Sequence, residues 1–125
     1  MAVIIFAIRQ IFSNSQVNFN VLLESASIYL LIGILFSFAF TLVDYLVPHS
    51  FTGLTEDHLH GNSALFSSFL YYSFVTLTTL GYGDITPLSQ LARSLSIIEA
   101  ITAQLFVTIF MARLVGLHLN HVSKD

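Results

Sequence analysis

Two stretches leave this chain few folds to choose from. Residues 21–47 are nearly all Leu, Ile, Val, Phe and Ala, and residues 91–119 are a second apolar stretch with Glu99, Gln104 and Arg113 as its polar interruptions, each longer than the about 20 residues an α-helix needs to cross a bilayer. In hydrocarbon every backbone N–H and C=O must be paired within the protein, so such runs are helical. A third apolar run, residues 63–78, reaches only part-way through a hydrocarbon core about 30 Å thick, at about 1.5 Å per residue. It therefore enters and leaves on one side. Irregular backbone after such a helix is tolerated at membrane depth only where protein or water surrounds it.

The remaining composition agrees with one small membrane module. Of 125 residues, 55% are hydrophobic and 9% charged, too apolar for a soluble domain and too few for several domains. There is no cysteine, hence no disulfide framework and no thiolate metal site. The formal charge is -3, and the basic residues are only Arg9, Arg93, Arg113 and Lys124, which gives no patch to follow nucleic-acid phosphates. No grouping of nucleophile, base and orienting residue suggests an enzyme.

Between the third run and the last lies Thr78, Thr79, Leu80, Gly81, Tyr82, Gly83 and Asp84. Glycine at alternate positions lets the backbone take up positive φ at little cost, so the carbonyls are free to aim one way. Four copies about one axis would present rings of carbonyl oxygens, closed below by the Thr79 hydroxyls, that replace the water shell of a cation. The oxygens are neutral dipoles, suited to a monovalent ion that must also leave.

TLTTLGYGD, with its order of apolar helix, loop, short helix, glycine-rich segment and second apolar helix, resembles the two-transmembrane pore module of tetrameric potassium channels. The resemblance covers residues 21–119. It implies an all-α membrane protein: two transmembrane helices, a re-entrant pore helix and an extended selectivity filter, assembled as a homotetramer in the lipid bilayer. The implied layout is an N-terminal segment (1–20), outer helix (21–47), extracellular loop (48–62), pore helix (63–78), filter (79–84), inner helix (91–119) and cytoplasmic tail (120–125). The implied function is passive, selective K⁺ conduction without a cofactor, the ion held by Thr79, Leu80, Gly81 and Tyr82, with Gly83 shaping the outer mouth. A weakly selective Na⁺/K⁺ channel and a non-conducting subunit or scaffold are the alternatives.

The resemblance also assigns supporting roles. Tyr71 is expected to hydrogen-bond Asp84, and Tyr72 to pack against the outward-facing ring of Tyr82. Val75 stands where some relatives place a carboxylate, and Leu80 where Val or Ile is more frequent. On the inner helix, Ala100, Gln104, Val107, Thr108, Met111 and Val115 recur at spacings of three and four and so share a stripe. Laid on the family's pattern, that stripe lines a cavity kept wet by Gln104, Thr108, Thr78 and Thr79. Glu99 lies five residues before Gln104, about 140° round a helix of 3.6 residues per turn. It faces away from the cavity, and an intramembrane carboxyl is a functional candidate by default: it is expected to bond pore-helix hydroxyls such as Ser68 or Thr76 and to couple inner-helix movement to the filter, with a helix-packing hydrogen bond that has no gating consequence as the alternative. Ala103 replaces a glycine hinge of many relatives, leaving Gly116 as a lower point of flexure.

The ends of the chain are read more simply. Residues 1–12 are apolar but too short to span, and form either an interfacial helix or the stub of a longer one. They lack a signal peptide's basic start and cleavage site. Asn62 or Ser63 is the expected N-cap of the pore helix. His49, His58 and His60 fall in the polar loop and read as solvated, with a metal or proton site as the alternative. His118 and His121, one helical turn apart, read as a solvated helix end, with a pH-sensing pair at the inner mouth of a tetramer as the alternative. Lys and Arg are absent from residues 48–87 and flank both ends, so both termini are expected in the cytoplasm, in a plasma or inner membrane. No segment carries the regularly spaced arginines of a voltage sensor. With few residues after Leu119, any gate is expected in the filter, the inner helix or sequence outside these 125 residues.

Overall fold

The structure is a computed structural model that describes residues 19–54 and 62–122. It is mostly helical, as the apolar runs require. Helix α1 is Phe19–Leu46, α2 is Asn62–Leu77 and α3 is Gln90–Val122. Two stretches, Leu22–Leu46 and Gln90–Ala112, are long and apolar enough to cross a membrane, and only 28% and 11% of their most apolar windows are buried. The core helix of a soluble protein would be mostly buried, so these helices present their apolar surface outward. At 16 residues, α2 is about 24 Å long, too short to span.

A two-stranded antiparallel sheet supplements the helices. Strand β1, Phe51–Thr52, pairs with β2, Thr86–Pro87, in the register Phe51 to Pro87 and Thr52 to Thr86. Nothing in so short a run signals a strand. The ladder extends past Ser50, whose carbonyl accepts the N–H groups of Leu88 (2.7 Å) and Ser89 (3.3 Å). Ser89 then caps α3, its hydroxyl accepting Ala92 N–H at 3.2 Å and its carbonyl Arg93 N–H at 3.0 Å.

The chain divides into two compact units. One is Ile32–Gln104. Its core is aromatic: Phe40 of α1, Phe51 of β1, and Phe69 and Tyr72 of α2 are buried together with Val43, Ile85 and Ala92. The rings meet edge to face, with centroids 5.0 Å apart for Phe40 and Tyr72, 4.8 Å for Phe51 and Phe69, and 5.3 Å for Phe51 and Tyr72. That geometry sets the positive ring edge on the negative face and contributes about 0.5–1.5 kcal/mol per pair beyond burial. Gly33 lets α1 and α2 approach closely, since a Cβ placed on it would lie 2.9 Å from the Phe74 ring.

The other unit combines Met1–Leu31 with Leu105–Asp125. Within it Tyr29 packs on Phe106 at 5.8 Å, and Phe106 lies parallel to Phe110 at 6.3 Å. The readings made for residues 1–18, His58, His60 and the last three residues lie outside the described residues, as do the side chains of His118 and His121.

Candidate functional site

The site begins where α2 stops. Thr79 has φ 60, Gly81 φ 58 and Gly83 φ 78, so every second residue of the candidate filter lies in the left-handed region while Leu80 and Tyr82 between them do not. Glycine takes up that region freely, but for a β-branched threonine it costs about 1–2 kcal/mol. Thr79 was not marked by the sequence as a positive-φ position. What holds it there is the end of α2. The N–H groups of Thr78 and Thr79 reach the Phe74 and Thr76 carbonyls, both at 3.0 Å, while those of Leu80 (3.0 Å) and Gly81 (3.2 Å) converge on the Val75 carbonyl. Carbonyls that a helix end would leave unpaired are thereby satisfied.

The alternation has a directional consequence. Successive N–H groups in a backbone that switches between right- and left-handed residues gather along one edge, and the carbonyls are left to the other. Here the N–H edge is turned onto Val75, a residue 8% exposed. Residues 78–84 are all solvent-exposed, Leu80 at 56% and Tyr82 at 67%.

Side chains brace the outer end. The Tyr71 hydroxyl donates to Asp84 Oδ2 at 2.7 Å, and its ring lies parallel to that of Tyr82, 6.5 Å away with a 7° interplanar angle. The bond to the carboxylate pushes the Tyr71 phenol up to about 12, and the same bond, aided by backbone N–H donors, holds Asp84 below the usual carboxylate range. Within the chain, then, the ring beside Tyr82 is that of Tyr71. Tyr72, placed against Tyr82 by the sequence reading, turns instead into the aromatic core, and its hydroxyl pairs with Ser96 Oγ at 2.8 Å. The cause is the apolar volume behind α2, which takes whichever of two adjacent rings faces it.

Backbone fastens the same end. Gly53, just after β1, has φ 89, and a Cβ there would collide with the Asp84 carbonyl, so only glycine lets the chain lie so close to the candidate filter's last residue. Arg93 Nε donates to Pro87 O at 3.2 Å.

The site is thus an exposed segment of alternating positive φ that follows a half-length apolar helix and stands between two helices of spanning length. Residues 30–118 match a protein family described as ion channels, well over half of the chain. The chain is a member of this ion channel family. No match was found among curated proteins or among solved structures. Membership makes it an integral membrane protein with a two-transmembrane pore module that passes ions down their gradient.

The channel's inner-helix residues fall in two groups. Ala100 is half-buried, whereas Gln104, Val107, Thr108, Met111 and Val115 are exposed. Ala103 is 1% exposed, and Gly116 falls within α3. The Thr78 hydroxyl donates to Phe74 O at 2.6 Å. Glu99 is fully buried, and the hydroxyl it meets belongs to Ser73 of α2, not to Ser68 or Thr76 as the sequence reading had it. Among the described residues no group of three or more His, Cys, Asp or Glu side chains is placed to hold a metal ion.

Proposed function

We propose that four copies of this ion channel chain surround one axis and conduct K⁺ selectively. The observation that carries the reading is the alternation of positive φ at Thr79, Gly81 and Gly83 with the N–H groups of Leu80 and Gly81 turned back onto Val75. It leaves the carbonyls of Thr79, Leu80, Gly81 and Tyr82 free to replace the hydration shell of a weakly hydrated monovalent ion. A single segment cannot enclose an ion, and closed cyclic symmetry supplies the missing three sides. The exposure of residues 78–84 in one chain fits surfaces that neighbouring copies cover. With α2's C-terminus at the filter, four partial negative charges favour a cation at the axis. Asp84 then lies at the outer mouth and both termini in the cytoplasm.

One observation favours a looser filter. Val75 is a buried apolar residue where a carboxylate would brace Asp84 from behind, which leaves Tyr71 as its side-chain hydrogen bond. The purified chain in liposomes decides. K⁺-dependent flux blocked by Ba²⁺, with a strongly K⁺-favouring reversal potential under bi-ionic K⁺ and Na⁺, supports selective conduction. A reversal potential near zero indicates a weakly selective cation channel. Absence of flux from a chain that assembles as a tetramer indicates a non-conducting subunit.

A further inference from the structure

Glu99 lies among groups that fix where its proton must be. Ser73 Oγ is 2.8 Å from the Gly33 carbonyl of α1 and also bonds Glu99 Oε1 of α3. All three residues are buried, with Ser73 and Glu99 both at 0% exposure. A serine hydroxyl owns one hydrogen, and a carbonyl can only accept. If the Ser73 hydrogen pointed to Glu99, the Ser73 and Gly33 oxygens would face each other with no proton between them. Pointing it to Gly33 satisfies that pair, and the hydrogen between Ser73 and Glu99 must then come from Glu99.

A second observation leads to the same place. Glu99 Oε2 is buried and has no hydrogen-bond partner. An ionised carboxylate left that way, with no cation beside it, carries a cost of several kcal/mol, while the carbonyl oxygen of a neutral acid carries far less. Sequence supplies no counter-charge: residues 32–46, 62–77 and 94–112 contain no Lys, Arg or His. Arg93, nearly two turns up α3, is engaged with Pro87 O.

We propose that Glu99 is a neutral carboxylic acid whose proton is donated to Ser73, which in turn donates to Gly33, and that this relay is a positioning device for the filter. It rests on the reading of the chain as a channel. The relay ties one turn of α3 to α2 and α1, and Tyr72 to Ser96 adds a second tie three residues earlier on the same face of α3. Ser73 is two residues before Val75, whose carbonyl receives the N–H groups of Leu80 and Gly81. A turn of α2 that slips moves that carbonyl, and the filter backbone with it.

The test separates the proton from its consequence. Infrared difference spectra of the full chain in liposomes at neutral pH are compared between wild type and Glu99→Gln. A carboxylic-acid C=O band present in wild type, shifted in ²H₂O and absent from Glu99→Gln is expected; its absence from wild type overturns the proposal. In bi-ionic flux, Glu99→Gln keeps a donor for Ser73 and should discriminate K⁺ from Na⁺ as wild type does. Glu99→Leu and Ser73→Ala should each lose about tenfold in discrimination, the worth of one buried hydrogen bond. Wild-type discrimination in both of these variants overturns the positioning role. If wild type assembles but passes no ions, the channel reading fails alone. The relay is then judged by the band together with thermal unfolding, in which Glu99→Gln should match wild type and Glu99→Leu fall below it; equal stability of all three overturns it.

Discussion

The two faces of the end of α2 are built on opposite plans. In front, residues 78–84 are exposed, the groups proposed to meet the ion are backbone carbonyls, and one threonine is held at a costly φ. Behind, Phe69, Tyr72, Ser73 and Leu77 are buried, the rings meet edge to face and the hydroxyls are paired. The difference shows that the front does not stabilise itself. Its conformation is imposed by the last carbonyls of α2 and by Gly53 lying against the Asp84 carbonyl, so under the proposed function selectivity would depend on residues buried behind the candidate filter.

The most direct way to break this division is to empty the back. Phe69→Ala removes a fully buried ring from the aromatic core and should lower stability by about 3–5 kcal/mol in chemical unfolding of the micelle-bound protein. Selectivity should fall in the folded fraction, whereas unaltered selectivity would separate the two faces. Gly53→Ala attacks the brace instead. Its Cβ meets the Asp84 carbonyl at a φ of 89, and a loss of about 1–3 kcal/mol is expected, with the change in conduction exceeding the change in unfolding.

The smallest effect sharpens the comparison at one exposed bond. Because Asp84 raises the Tyr71 phenol from 10.0 to about 12, what this bond adds is fully present below 10.0 and is lost as pH rises through about 12. On the acid side Asp84 is depressed below 3.8, so its share is present above 3.8 and lost as pH falls below that value. Ultraviolet titration of tyrosinate should therefore show one phenol ionising earlier in Asp84→Asn than in wild type. Coincident titrations would mean that Tyr71 does not hold Asp84 in solution.

Much of the fold was legible because bilayer physics reduces it to counting apolar residues. Two long helices, one short helix between them and the turn at Pro48 all follow from run length, and α1 does end at Leu46. The glycines of GYGD announced two of the three positive-φ positions within residues 79–83, but Thr79 carried no such mark, since its conformation is imposed by carbonyls earlier in the chain. Tyr71 and Tyr72 look equivalent in sequence, and only the volume behind α2 tells them apart. Ser73 was invisible among several hydroxyls of one helix, because which serine meets Glu99 depends on how far α3 is turned. The β1 and β2 pairing had no local signal at all.

That pairing has one further result. The ladder from Phe51 to Pro87, with Ser50 gripping Leu88 and Ser89, pins together the two ends of the stretch that contains α2 and the filter. Chain leaving β1 toward Asn62 departs from a fixed point. Extra residues inserted after that point should leave the pairing, and with it the backbone of the candidate filter, unchanged.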